Sequence, residues 1–526
     1  MPKVITPKEA AELFSDNCTV ATAAFGLAGW PEEIALEVEK RFLETGHPSN
    51  ITHIHAAGIG DWVDRGEEIW AHDGLVTRVI ASHMGSSPGL IKKIAENKIA
   101  AWNLPLGTIL QVYREAGRRS PGLLTKIGLG TFMDPRVDGG KLNPLTKEDG
   151  EEFVEYVPDF NGEEYLFYKS YKPDIGFMRG TTADTNGNIT CEKEALNLEM
   201  LAVAQMTKAN GGIVIVQVES LAEAGSLNPK LVKVPGIYVD YIVVAEKPEI
   251  FMQTQATHYN RSFSGEVRVP VGDAMAKMPF DEKKPLLRRV VSEIKPGAKV
   301  NCGIGLPTFT GAILAEEGCD GKITLISESG SIGGVPGGGR DFGAHWNIEA
   351  SCDQGDHFTF FDGGGLDVGV FGISEVDKDG NVNTSLLNGK IMGVGGFSNI
   401  AGTARYAIFA GSFTAGGIEC AIEDGKLVIK KEGKFKKFVK SCPQLTFNAE
   451  QSLKLGNRIL FVTERCVIER TTEGMVLKEI APGIDLQTQI LDQCDVDFII
   501  PEGGPALMDP KLFQPEWGGL KAIMEG

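Results

Sequence analysis

The sequence predicts an α/β protein built from two tandem, diverged copies of one open α/β domain. Three observations carry this. A strand, glycine loop and helix follow one another near the start of the chain, and the same order returns in the second half. Short segments recur in the same order in both halves, with an offset that shrinks along the chain. Finally, a length of 526 residues suits two or three domains rather than one.

The elements can be justified in order. Thr6-Pro7-Lys8-Glu9 is a capping box with proline at the first helical position, so a helix starts there. Cys18 to Phe25 is an apolar, β-rich run, Gly26-Leu27-Ala28-Gly29 a loop, and Pro31 to Glu44 has helical apolar spacing. Downstream, Lys299 to Cys302 reads as a strand, Gly303-Ile304-Gly305-Leu306-Pro307 as a loop, and Gly311 to Glu317 as a helix. Ser82-His83-Met84-Gly85-Ser86 resembles Ser327-Glu328-Ser329-Gly330-Ser331, which makes His83 the expected counterpart of Glu328. Asp174 through Ile189 resembles Asp367 through Val382. The expected domains are 1–280 and 281–526, with the boundary in the charged, proline-containing stretch that begins at Phe280.

Composition excludes several classes. The formal net charge is −18, from 52 basic and 70 acidic residues, which argues against a broad nucleic-acid surface. No apolar run is long enough for a membrane helix, and the N-terminus lacks a signal-peptide core, so a cytoplasmic protein with no membrane partner is expected. The nine cysteines are scattered without a C-x-x-C pair and read as reduced thiols. His53-Ile54-His55 has the period of one strand face, and no metal site is expected. Glycine is the outlier at 65 residues, of which 22 fall between Gly330 and Gly417.

Glycine in an α/β protein suggests nucleotide binding, but neither a complete G-x-G-x-x-G nor a Walker A motif occurs. Gly85-Ser86-Ser87-Pro88-Gly89 has the form of a nucleophile elbow. The residue after the serine must supply an oxyanion-hole N–H, and Pro88 has none, so the segment reads as a turn into a helix over Leu90 to Glu96. The remaining candidate is Glu328, at the end of the apolar strand Ile323 to Ile326 and followed by Gly330, Gly333 and Gly334. Ligands in open α/β sheets bind beyond the carboxyl ends of strands, so Glu328 faces the expected crevice as a general base or nucleophile, or else is a solvated turn residue. Gly393-Val394-Gly395-Gly396-Phe397 offers unobstructed amides for an oxyanion hole, or is a tight turn.

Together these residues resemble a family I coenzyme A transferase. Ser327-Glu328-Ser329-Gly330 is similar to the family's Ser-Glu-Asn-Gly motif, with Ser329 in place of Asn, and Gly393 to Phe397 to its G-x-G-G-F motif. Gly26 to Pro31 and Gly303 to Pro307 resemble the loops that open its two halves. Gly128 to Arg136, Arg179 to Asp184 and Phe361 to Asp367 resemble the single-chain propionate and acetate branch. Leu106 stands where ketoacid-type relatives often carry glutamine, which favours short unsubstituted or 2-hydroxy acids.

The resemblance implies ping-pong transfer between acyl-CoA and short-chain carboxylic acids, with Glu328 as nucleophile and Gly395 and Gly396 as oxyanion amides. An ordinary carboxyl pKa, near 4.3, is expected to keep Glu328 ionised. Coenzyme A is implied as substrate, with no permanently bound cofactor, and Gly303, Gly305, Leu306, Lys390, Gly393 and Phe397 as its contacts. A homo-oligomer, dimer or tetramer, is implied as well. Lys426 to Lys440 packs seven lysines around an expected hairpin turn at Glu432-Gly433, either meeting phosphates or protecting a strand edge. An acyl-CoA hydrolase using the same glutamate, and a non-catalytic nucleotide or sugar-phosphate module, are the alternatives.

Overall fold

The structure is a computed structural model and describes residues 1–270, 278–387 and 389–525. The capping box forms as expected. The Glu9 amide donates to Thr6 Oγ1 at 3.2 Å and the Thr6 amide to Glu9 Oε2 at 2.8 Å, which starts the helix Pro7–Glu12.

In the first half, eight strands form one parallel sheet. They are β1 (Lys3–Ile5), β2 (Thr19–Thr22), β3 (Ile51–His55), β4 (Val76–Ala81), β5 (Ala100–Asn103), β6 (Ile175–Arg179), β7 (Ile213–Val218) and β8 (Tyr241–Val244), in the spatial order β1-β8-β7-β6-β2-β3-β4-β5. The second half has a parallel core of β9 (Lys299–Cys302), β10 (Thr324–Ile326), β11 (Val368–Gly372), β12 (Tyr406–Ala410) and β13 (Arg458–Val462), in the order β10-β9-β11-β12-β13. Antiparallel pieces extend it on both sides. Central strands such as β6 and β12 are buried at every position, the signature of a parallel sheet covered on both faces.

The two halves are the same unit. Strands β3-β2-β6-β7-β8 correspond in order to β10-β9-β11-β12-β13. Hydrogen bonds repeat with the strands. Asp174 Oδ2 accepts from the Thr19 amide at 2.8 Å, and Asp367 Oδ2 from the Lys299 amide at 3.0 Å. Asp184 accepts from the Asn186 and Asn188 amides and from Asn188 Nδ2, while Asp377 accepts from the Asp379 and Asn381 amides and from Asn381 Nδ2.

The topology corrects one expected correspondence. Glu328 lies two residues past β10, whose counterpart is β3, so its positional equivalent is Ala57 and not His83. His83 follows β4, a strand the second half lacks. The surplus length of the first half lies between β3 and β6, where β4, β5 and the antiparallel strands Gly122–Thr125, Val154–Phe160 and Glu163–Lys169 are added.

One apolar core runs through both halves. A second covers the other face of the first sheet around Trp30, Trp70 and Phe177. Inside that second core lies a polar network. His53 Nδ1 meets Glu67 Oε1 at 2.5 Å, Thr22 Oγ1 meets His53 Nε2 at 2.9 Å, and His55 Nδ1 meets Ala57 O at 2.6 Å. His55 Nε2 forms an ion pair with Glu67 Oε2 at 3.1 Å, at an angle too poor for a hydrogen bond. Ligand-type atoms of His53, His55 and Glu67 lie within 4.8 Å of one another, but all four ring nitrogens already face a protein partner. Burial disfavours a charge on His55, and the Glu67 carboxylate outweighs it and raises the pKa of that ring.

The lysine-rich segment also differs from expectation. Its hairpin turns at Asp424-Gly425, between Glu419–Glu423 and Lys426–Lys431, whereas Glu432-Gly433 leads to Phe435–Lys436 in another two-stranded sheet. Lys431 pairs with Glu419 at 2.8 Å and Lys436 with Asp495 at 2.6 Å. Among the described residues, no helix is long and apolar enough to cross a membrane.

Candidate active site

A cleft of about 560 Å³ opens between the halves at the carboxyl ends of the strands. Such clefts form where the strand order reverses, and here two reversals meet. Phe25 and Gly26 follow β2 in the first half, while Gly303 and Ile304 follow β9 in the second, and all four line the cleft. The lining is largely apolar, with Leu106, Leu196, Phe342, Phe371, Met392 and Phe397 among it, and among the described residues it carries one carboxylate, Glu328.

Glu328 is presented by a rigid turn. The Ser327 amide donates to Ser331 O at 2.9 Å, the Gly330 amide to Ser327 O at 3.2 Å, and Ser329 Oγ to Gly343 O at 2.5 Å. Gly330 sits at φ +103°, and a side chain there would run into Cys352 O, so glycine is required. Ser329, which stands where the resembled motif has Asn, is thus a buried turn residue directed away from the cleft. Gln354 Nε2 reaches Glu328 O at 3.3 Å. The Glu328 carboxylate itself makes no hydrogen bond among the described residues. Burial without compensation lifts its pKa to about 7, which corrects the expectation of an ordinary, fully ionised carboxyl.

The glycine loop lies against this carboxylate. A methyl group on Gly396 would overlap Glu328 Oε2, so the backbone of Gly396 is in direct contact with it. The loop is held by the other half of the chain. The Gly395 amide donates to Ser82 O at 2.8 Å, the Val394 amide to Asn103 Oδ1 at 3.0 Å, and the Leu106 amide to Gly395 O at 3.0 Å. The Gly395 amide is therefore committed, contrary to the expectation that it serves an oxyanion. The Gly396 amide has no acceptor among the described residues.

Of the expected coenzyme contacts, Gly303, Gly393 and Phe397 line the cleft with Gly395 and Gly396. Gly305, Leu306 and Lys390 do not. Lys390 lies exposed on the two-residue strand Lys390–Ile391. Sequence reasoning missed Arg340 and Gln255, and gave no place in the cleft to His83 and Ser86; all four line it. His83 makes no side-chain hydrogen bond among the described residues, and burial and then the charge on nearby His55 push its pKa down to about 4, leaving a neutral ring. The Ser86 hydroxyl is buried without a partner among the described residues. Neither residue could be placed without knowing that β4 adjoins β3.

A segment of the second half, residues 337–343, closes over the cleft as a strap. Phe342 stacks on Phe25 with ring centroids 6.1 Å apart. Asp341 Oδ1 accepts from Thr254 Oγ1 at 2.6 Å and Thr257 Oγ1 at 2.8 Å. Arg340 pairs with Asp61 at 3.0 Å. Each contact joins one half to the other.

Comparison with known proteins bears on this cleft. The family model described as coenzyme A transferase matches residues 4–245. The chain is 46% identical to the caffeate CoA-transferase of Acetobacterium woodii, over all of both chains. It is 40% identical to the acetate CoA-transferase YdiF of Escherichia coli strain K12, over 97% of this chain and 95% of the relative. A solved structure of YdiF from E. coli O157:H7, described as a thioester complex with CoA, superimposes with a TM-score of 0.91 at 37% identity, covering 98% of this chain and 97% of that one.

Proposed function

Because the chain belongs to the coenzyme A transferase family, we propose that it moves coenzyme A between short-chain carboxylic acids through covalent intermediates on Glu328. The observation that carries the assignment is the contact between Glu328, the one carboxylate of the cleft among the described residues, and Gly396, whose amide has no acceptor among them.

Chemically, the Glu328 carboxylate attacks the thioester carbonyl of acyl-CoA. The C–S bond breaks, CoA leaves as thiolate, and an acyl-glutamyl anhydride remains. The thiolate then attacks the glutamyl carbonyl, the first acid departs as carboxylate, and Glu328 holds CoA as a thioester. An incoming carboxylate runs the sequence backwards, so no net proton or electron is consumed. A carboxylate is a weak nucleophile, and desolvation raises both its basicity and its reactivity. The Gly396 amide supports the oxyanion of each tetrahedral intermediate, a role worth about 3 kcal/mol per donor. The apolar lining limits water, which would otherwise hydrolyse the glutamyl thioester.

The printed names of the relatives support acyl-CoA and small acids as substrates, and the YdiF thioester complex supports a thioester to CoA in this fold. Leu106 in the lining favours acids without a keto group. Nine unpaired thiols accord with a cytoplasmic location, and a homo-oligomer is part of the same reading.

The test is to incubate the protein with acyl-CoA, add borohydride, and map the product by mass spectrometry. Reduction at the peptide containing Glu328 is expected. An unmodified peptide from a preparation that is turning over would remove the covalent route. Release of free acid without an acceptor would identify a hydrolase instead.

A further inference from the structure

Among the described residues, the cleft lining holds one permanently positive group, the guanidinium of Arg340. It sits on the strap and its side chain is 49% exposed. Nη2 donates to Asp61 Oδ2 at 3.0 Å and to Asp61 O at 3.2 Å. The acceptor is fixed. Asp61 is nearly buried, and its Oδ1 is taken by the amides of Val63, Asp64 and Arg65 at 3.0 to 3.1 Å. Nε and Nη1 of Arg340 have no acceptor among the described residues. A guanidinium offers five donors, so the N–H groups of Nε and Nη1 remain available at the cleft.

The surroundings call for such a group. The protein carries a net charge of −18, which repels a polyanion approaching from solution. Neither Lys390 nor any of the seven lysines between Lys426 and Lys440 is in the lining. Arg340 makes no ion pair with Glu328, so it is not spent on the reacting carboxylate.

We propose that Arg340 receives a phosphate group of the CoA molecule on its free Nε and Nη1 donors, and that Asp61 holds the guanidinium in position for it. This rests on the CoA-transferase reading of the cleft. The other anion that enters, the carboxylic acid, must reach the acyl carbonyl at Glu328, and a comparison of donors distinguishes it from the phosphate.

The test compares two donors with the same thioester, acyl-CoA and acyl-pantetheine, the second having no phosphates. Arg340→Gln is expected to lower kcat/KM for acyl-CoA by roughly 10- to 100-fold, as for loss of one charge-assisted hydrogen-bonded contact, and to leave acyl-pantetheine unchanged. Arg340→Lys, which keeps the charge without the fork, should recover part of the loss and carries the same comparison if the Gln variant folds poorly. An equal loss for both donors would assign Arg340 to the strap or to the acid, and no loss for either would leave it without a role. Both outcomes overturn the proposal. A wild-type protein that transfers nothing from acyl-CoA would instead defeat the family reading on which it rests.

Discussion

The backbone of Gly396 lies directly against Oε2 of Glu328, so a methyl group added at Gly396 would overlap the carboxylate. Gly396→Ala is expected to lower kcat by about 100-fold or more through displacement of Glu328, the loss typical of a catalytic group moved by an ångström. Gly402→Ala, in the helix Phe397–Thr403 with open space around the added methyl, should leave kcat within twofold. Steady-state kinetics of the two variants, with circular dichroism to confirm folding, separates the contact from a general intolerance of alanine in this segment.

Only the ionised form of Glu328 can attack a thioester, and burial places its pKa at about 7. The pKa is raised, so the protonated and inactive form predominates below that pH. The value of kcat/KM for acyl-CoA should fall about tenfold per pH unit as the pH drops below 7 and level off above it. A profile that stays flat down to pH 5 would mean that the carboxyl is solvated in the working enzyme.

Glu67 accepts from His53 and lies 3.1 Å from His55 Nε2, so one buried carboxylate serves two buried rings. Glu67→Gln removes the carboxylate charge from this network, and a loss of about 3–5 kcal/mol of stability is expected from breaking a buried pair. Denaturant unfolding measures it. A variant as stable as the wild type would show that the Glu67 charge contributes nothing to the fold.

Glu199 is buried with neither carboxylate oxygen hydrogen-bonded among the described residues, and burial pushes its pKa to about 8. The folded state binds the proton more tightly than the unfolded state, whose carboxyl titrates near 4.5. Its contribution to stability is therefore complete below 4.5 and is lost progressively as the pH rises through about 8. Glu199→Gln should remove that decline, with its Tm gaining on the wild type between pH 5 and pH 8. Parallel Tm curves for the two proteins would contradict the unpaired carboxyl.

Much of the fold was legible in the sequence because it depends on local pattern. Thr6 and Glu9 are three residues apart, and the loops after β2 and β9 are single runs of chain. Glu328 could be singled out because a carboxylate at a strand end before glycines is itself a local signal. What escaped was non-local. His83 resembles Glu328 in its neighbours, yet only strand order shows that it follows an added strand. The Gly395 amide looked free because its acceptor, Ser82 O, lies in the other half. Arg340 sits in an unremarkable glycine run, and its partner Asp61 is 279 residues away. The pKa of Glu328 depends on what surrounds it in space, which no local pattern encodes.

The clasp of Ser82, Asn103 and Leu106 on residues 393–397 has a consequence for how the enzyme is supplied to the cell. The second half does not hold its glycine loop alone, and two separate polypeptides would lose that clasp whenever they drifted apart. A covalent tether holds the second partner at an effective concentration on the order of millimolar. Dilution then cannot dismantle the site, and synthesis delivers the two parts in a fixed one-to-one stoichiometry.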